Sequence, residues 1–247
     1  MINFMKLNPK DFRNYKNNGV IRVKKVFSRS EIINLKKNID LYIKKKAKIL
    51  KGKEINFIQN EVNSIHLFKD VFFKKFSNQS KILELGKFFL KAKPKIRHFE
   101  YFAKPKKIGL PSPMHQDNYY WNLSNPNSFT IWIAIDKATK KNGVVEYLLG
   151  SHKRLYSHVP SYAPGSSQKV KEIVKLKNKF KTKSFNLNSG DCLIHHSQII
   201  HGSKKNSSNN SRKGFTVQVM TTTSKVNKEK FIKYQESLKK QIELRAT

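Results

Sequence analysis

Between Ser28 and Lys46 the apolar residues Ile32, Leu35, Ile39 and Tyr42 recur at three- and four-residue spacing, with Ser28 and Glu31 at capping-box distance ahead of them. That spacing predicts an amphipathic helix. A second stripe, Ile82, Leu85 and Phe89 in QSKILELGKFFLKA (79–92), predicts another, and VNKEKFIKYQESLKKQIELRA returns to the same period through Phe231, Tyr234, Leu238 and Ile242. Other stretches alternate instead. GVIRVKKVF sets Val20, Arg22 and Lys24 against Ile21, Val23 and Lys25, which reads as a short strand. SFTIWIAIDKAT puts Phe129, Ile131, Ile133 and Ile135 on one face and Thr130, Trp132 and Ala134 on the other, and GFTVQVMTTT opposes Phe215, Val217 and Val219 to Thr216, Gln218 and Met220.

From residue 95 to about 223 such strands are short and punctuated by turn signals at KKNGV, LLGSH, YAPGSS, LNSGD and KKNSSNNSRKG. A mainly β core with flanking helices follows, a sandwich, jelly roll or barrel. The expected organisation is one domain over 1–247, with helical support at 11–94, the β core at 95–223 and a helix at 226–245.

Composition changes this picture little. The 51 Lys and Arg against 16 Asp and Glu leave a formal charge of +35, which raises nucleic acid as a partner. The basic residues are spread along the whole chain, however, only seven are Arg, and no nucleic-acid module shows in the pattern, so a solvated basic surface is expected. A single cysteine, Cys192, excludes an internal disulfide and reads as a buried strand residue. Lysines interrupt every apolar run and the N-terminal residues lack a signal-like stretch, so the expectations are no membrane span and a cytoplasmic setting. Oligomeric state is not readable.

The candidate chemistry begins in PSPMHQDNYYWNL (111–123). His115 and Asp117 are two positions apart, so an extended backbone brings imidazole and carboxylate to one side, where they can share a metal ion. A lone His-x-Asp is weak evidence. GDCLIHHSQIIHGSKK offers a third ligand at His195, His196 or His201, and two histidines with one carboxylate is the set used by non-haem Fe(II) oxygenases.

In order along the chain, NNGVIRVKKVFSRSEIINLKKNI, FAKPKKIGLPSPMHQDNYYW, IWIAIDKATKKNGVVEYLLGSHK and GDCLIHHSQIIHGSKKNSSNNSRKG resemble the phytanoyl-CoA dioxygenase family of Fe(II)- and 2-oxoglutarate-dependent oxygenases, over about residues 11 to 223. The resemblance implies a double-stranded β-helix, the cupin-like jelly roll. It implies Fe(II) and the co-substrates 2-oxoglutarate and O2, with metal ligands at His115, Asp117 and His201; His201 alone stands in His-Gly-Ser, eleven residues before Arg212.

On the same basis Arg212 holds the distal carboxylate of 2-oxoglutarate, a role suited to a planar guanidinium, with Ser203 adding a hydroxyl and Trp132 nearby. A plain salt bridge from Arg212 to Asp191 or Glu146 is the bland alternative. Lys104, Tyr119, Tyr120 and Trp121 are candidates for the substrate mouth. Retention of Asp117 as a carboxylate favours hydroxylation over halogenation.

The implied activity is hydroxylation of a C–H bond in a small polar or anionic metabolite, with release of succinate and CO2. Alternatives are a polyanion-binding protein on a non-catalytic scaffold and a Zn or Mn hydrolase or isomerase. His152 reads as a turn-stabilising hydrogen-bonder, and His66, His98 and His158 have no assigned partner.

Overall fold

A computed structural model describes residues 7–50, 55–67, 69–161 and 168–246. The YAPGSS turn lies outside the described residues. The chain opens with α1 (Pro9–Asn18), β1 (Val20–Val23) and α2 (Arg29–Leu50). Then come β2 (Ile55–Ile58), β3 (Glu61–His66), α3 (Val71–Ser77), α4 (Ser80–Leu90) and β4 (Pro94–Lys104). The central part carries β5 (Ser112–His115), α5 (Asp117–Trp121), β6 (Ser128–Ala134), β7 (Val145–Leu148), β8 (His158–Pro160), β9 (Gln168–Val170) and α6 (Ile173–Lys179). The last part holds β10 (Thr182–Ser184), β11 (Cys192–His196), β12 (His201–Ser203), β13 (Arg212–Thr221) and α7 (Lys228–Ala246).

Seven strands form the larger sheet in the order β1-β11-β6-β13-β4-β3-β2, and four form the smaller one, β10-β7-β12-β5. The two antiparallel sheets make the expected double-stranded β-helix with helices at both ends of the chain. The N-terminal part is more than helical support: β1, β2 and β3 extend the larger sheet at its two edges. Periodicity missed β2 and β3 because strands of four and six residues in a lysine- and asparagine-rich stretch are too short to alternate clearly. The short helices α3, α5 and α6 escaped for the same reason. α1 carries better signals: an Asn8/Asp11 capping box, Pro9 in its first turn and Gly19 in the left-handed conformation at its C-terminal end.

β6 is buried at every position, so neither of its faces meets water. Phe129, Ile131 and Ile133 join Phe215, Val217 and Val219 of β13 in the main core, beneath Leu35 and Ile39 of α2, Phe73 of α3 and Ile82, Leu85 and Phe89 of α4. The opposite face, Trp132 and Ala134, packs toward the smaller sheet with Val145, Tyr147 and Leu193. The apolar face of the alternating pattern therefore covers the outside of the larger sheet under helices, and its more polar face lines the jelly-roll interior. That inversion puts Thr130, Thr216 and Gln218, each almost wholly buried, where a site is needed. Cys192 is buried in β11 as expected. His152 bonds through Nε2 to the Lys16 carbonyl at 3.0 Å and so ties α1 to the turn before β8.

Candidate active site

β5 and β12 pair antiparallel with His115 directly opposite His201. β5 ends at His115 and α5 begins at Asp117, while Gln116 between them keeps an extended backbone, φ −125° and ψ 126°. The alternation that pairs His115 with Asp117 therefore survives across the strand's end. Gln116 points the other way and is fully buried, where its amide donates to the Arg154 and Gln198 carbonyls and accepts from the Tyr156 N–H at 2.7 Å. These bonds hold the turn that aims both flanking side chains.

The Nε2 atoms of His115 and His201 lie 3.6 and 3.5 Å from the same oxygen of Asp117, Oδ1. All three donor atoms are within 4.8 Å of one another. Each imidazole is anchored through Nδ1 to a backbone carbonyl two residues earlier, Pro113 at 2.8 Å for His115 and Ile199 at 3.0 Å for His201. An Nδ1–H donating to a carbonyl leaves the Nε2 lone pair bare toward Asp117. Burial and repulsion by His115 hold His201 down at about 3, so it is neutral at pH 7. Burial alone would raise the Asp117 carboxyl, but His201, His115 and His195 outweigh it and keep the group well below the usual carboxylate range. Two bare imidazole nitrogens and one ionised carboxylate oxygen fit a divalent transition metal.

The other oxygen of Asp117, Oδ2, is held separately. Thr130 donates its hydroxyl at 2.8 Å and His195 Nε2 stands 3.4 Å away, with the Tyr147 hydroxyl 3.1 Å from His195 Nδ1. The sequence reading missed Thr130, Tyr147 and His195 in this setting. In the sequence Thr130 stands only as a polar residue on the less apolar face of β6.

These residues open on a cavity of about 140 Å³ that is also lined by Trp132, Ser203, Arg212, Glu100 and Gln218. Arg212 is 4% exposed, its Nε has no hydrogen-bond partner, and its guanidinium carbon lies 5.2 Å above the centre of the Trp132 ring. Burial lowers it to about 10, so it remains cationic. The salt-bridge alternative is absent: among the described residues no carboxylate lies within 4.0 Å of it. Asp191 instead accepts from the N–H groups of Lys25 and Asn188, and Glu146 faces Lys204 at 3.9 Å.

None of the four suggested substrate residues lines this cavity; Tyr120 gives its hydroxyl to the Gln168 carbonyl at 3.0 Å. Lys104 pairs in register with Arg212, is buried, and gives its ammonium to the Leu110 carbonyl; burial and the Arg212 charge lower it to about 7. Tyr119 stacks on His158 at 4.1 Å between ring centres and meets Tyr234 of α7 edge-on. Trp121 is buried under the Arg97 guanidinium. The α5 turn sends Tyr119 and Tyr120 toward Tyr234 of α7 and tucks Trp121 beneath Arg97, which the run of letters after Asp117 did not show.

Glu100 is the cavity's unpredicted ionisable group. Its own burial pushes its pKa up, and hydrogen bonds from His66 and His98 outweigh that and bring it to about 2.

The phytanoyl-CoA dioxygenase (PhyH) family profile matches residues 15–214, four fifths of the chain. The chain belongs to the phytanoyl-CoA dioxygenase family. Its relative Phytanoyl-CoA dioxygenase 1 of Oryza sativa subsp. japonica is 28% identical over 200 residues, 75% of this chain and 66% of that protein, so the chain spans just under two thirds of that relative. Two solved structures share the fold of this family member. EctD from S. alaskensis, with 2-oxoglutarate and 5-hydroxyectoine, superposes with a TM-score of 0.77 at 15% identity over 92% of this chain and 80% of its own. The non-heme alpha ketoglutarate dependent carbocyclase SnoK gives 0.74 at 18% identity over 90% and 87%. None of the described helices of this family member is long and apolar enough to cross a membrane.

Proposed function

We propose that this chain is an Fe(II)- and 2-oxoglutarate-dependent oxygenase that hydroxylates a C–H bond of a small, polar metabolite. One observation carries the reading: His115, Asp117 and His201 present their donor atoms to the same cavity into which the buried Arg212 guanidinium faces. A Zn or Mn hydrolase has no use for such an arginine, and the dispersed lysines give a polyanion no focused surface.

His115 and His201 offer Nε2 atoms and Asp117 offers Oδ1, its other oxygen held by the Thr130 hydroxyl. Iron(II) bound there supplies the redox chemistry by which O2 and 2-oxoglutarate, with R–H, become R–OH, succinate and CO2. Arg212 supplies a pair of parallel N–H donors for the far carboxylate of the co-substrate, and the Trp132 ring packs against its guanidinium. Ser203 adds a hydroxyl on the same wall. Residues of β6, β12 and β13 wall this end of the cavity.

About 140 Å³ is small beside the ~300–1,000 Å³ of common ligand pockets, which favours a compact substrate over a long acyl chain. With Glu100, Thr216 and Gln218 in the lining and Lys104 outside it, polar recognition is better supported than recognition of an anion.

The test is 2-oxoglutarate-dependent succinate release by the anaerobically reconstituted Fe(II) protein, offered a panel of small polar metabolites. Asp117→Ala and His115→Ala are expected to abolish release while circular dichroism is unchanged; full activity in the doubly substituted protein would end the reading.

A further inference from the structure

His66 and His98 gain a shared partner only in the folded chain. β3 and β4 pair antiparallel with His66 directly opposite Glu100, and His98 precedes Glu100 by two positions on the same strand, so all three project from one face. His66 Nδ1 stands 2.6 Å from Glu100 Oε1, His98 Nε2 stands 3.3 Å from the same oxygen, and the two nitrogens are 3.2 Å apart. A point about 2.0–2.1 Å from all three atoms, the usual bonding distance of zinc to nitrogen and oxygen ligands, lies about 1 Å out of their plane. No backbone movement is needed to reach it.

We propose that His66, His98 and Glu100 form a second metal site, at the rim of the cavity, for a borderline transition-metal ion of the Zn(II) kind. Two imidazole nitrogens disfavour Mg2+ and Ca2+, which take oxygen sets. Access is open, because the His66 side chain is 38% exposed, whereas Glu100 at 13% reaches the cavity lining. The neighbouring cation does not block the position: Arg97 is committed to Gln218 Oε1 at 2.6 Å and to the face of Trp121. Three protein ligands leave a coordination position for water. Through Glu100 the ion would stiffen the cavity wall opposite the first triad's strands. The site is independent of the oxygenase reading, since none of its ligands belongs to His115, Asp117 and His201.

The test counts metal. Chelator-stripped protein is titrated with Zn(II), desalted and assayed for bound metal, with circular dichroism as a check on the fold. Two equivalents are expected in the unaltered chain, one in His66→Ala/His98→Ala, and one in His115→Ala/His201→Ala. The half-exposed His66→Gln, a change that leaves the core untouched, gives the same loss if the double variant folds poorly. Substitution with Co(II) reports the ligands directly: its visible spectrum in His115→Ala/His201→Ala should change on adding Glu100→Gln. A single equivalent in the unaltered chain that survives His66→Ala/His98→Ala overturns the inference, as does retention of both equivalents by that variant. Failure of the first site shows separately, as loss of its own equivalent.

Discussion

Gly214 is a residue whose single added methyl should separate co-substrate binding from metal binding. It lies on β13 two positions after Arg212 and pairs with Ala134 of β6 and Phe102 of β4. A Cβ there would stand 2.6 Å from Trp132 Cε2 and 2.9 Å from Cη2, and closer still to Cζ2. Ordinary contact begins near 3.4 Å, so the indole must retreat by about 1 Å. Trp132 is 4% exposed and its only open side is the co-substrate cavity it lines, which makes Gly214→Ala an overpacking change worth about 1–3 kcal/mol. For a chain of this length that lowers Tm by about 2–12 °C.

The same displacement slides the ring from beneath the Arg212 guanidinium and removes a cation–π contact of about 0.5–2 kcal/mol, raising KM for 2-oxoglutarate by about 2–30-fold. The metal ligands stand on β5, α5 and β12, not β13, so kcat should hold within about twofold. Differential scanning fluorimetry and succinate release against 2-oxoglutarate concentration measure both effects. In a Trp132→Leu background the methyl has nothing to strike, and the two changes should couple by at least ~0.5 kcal/mol. A Gly214→Ala protein with unaltered Tm and KM would refute the packing argument.

Three further outcomes follow from the geometry. Thr130→Val removes the hydroxyl that holds Asp117 Oδ2 and should weaken Fe(II) affinity about 10–100-fold with little loss of fold, read by metal titration; undiminished affinity would remove Thr130 from the site. Arg212→Lys replaces a planar fork by a point charge and should raise KM for 2-oxoglutarate about 10–100-fold, the value of ~1.5–3 kcal/mol for a charged hydrogen bond, against kcat changed far less.

Stability of the metal-free protein should fall with pH through His196, which burial and then repulsion from His152 and His195 lower from 6.5 to about 3. Because the folded value is the lower one, the unfolded chain binds the extra proton between those limits. Stability is therefore whole above about pH 6.5 and is lost as pH drops toward 3, at up to ~1.4 kcal/mol per pH unit. Urea midpoints at pH 7, 6 and 5 should show a shallower decline in His196→Gln, and parallel curves for the two proteins would contradict the assignment.

Much of this protein is written locally. The stripes Ile32-Leu35-Ile39 and Ile82-Leu85-Phe89 form helices because three- and four-residue spacing puts apolar groups on one side, and both stripes are buried in the main core. β6 and β13 alternate because their two faces meet different surroundings. His115 and Asp117 come together through one extended residue, a matter of backbone geometry over three positions. What lies beyond local reach is every partnership across the sheets. His195 and His201 stand at nearly equal distance from Asp117, on its two different oxygens, and only the pairing of β12 with β5 sets His201 opposite His115. Lys104, Tyr119 and Trp121 are neighbours of the site in sequence, yet strand register and the α5 turn aim them elsewhere. Glu100, fifteen positions before His115, enters the cavity because β4 lies beside β13. Periodicity records which side of an element is apolar; which elements meet, and at what register, is set by contacts between residues far apart in the chain, and those exist only once the two sheets have closed on each other.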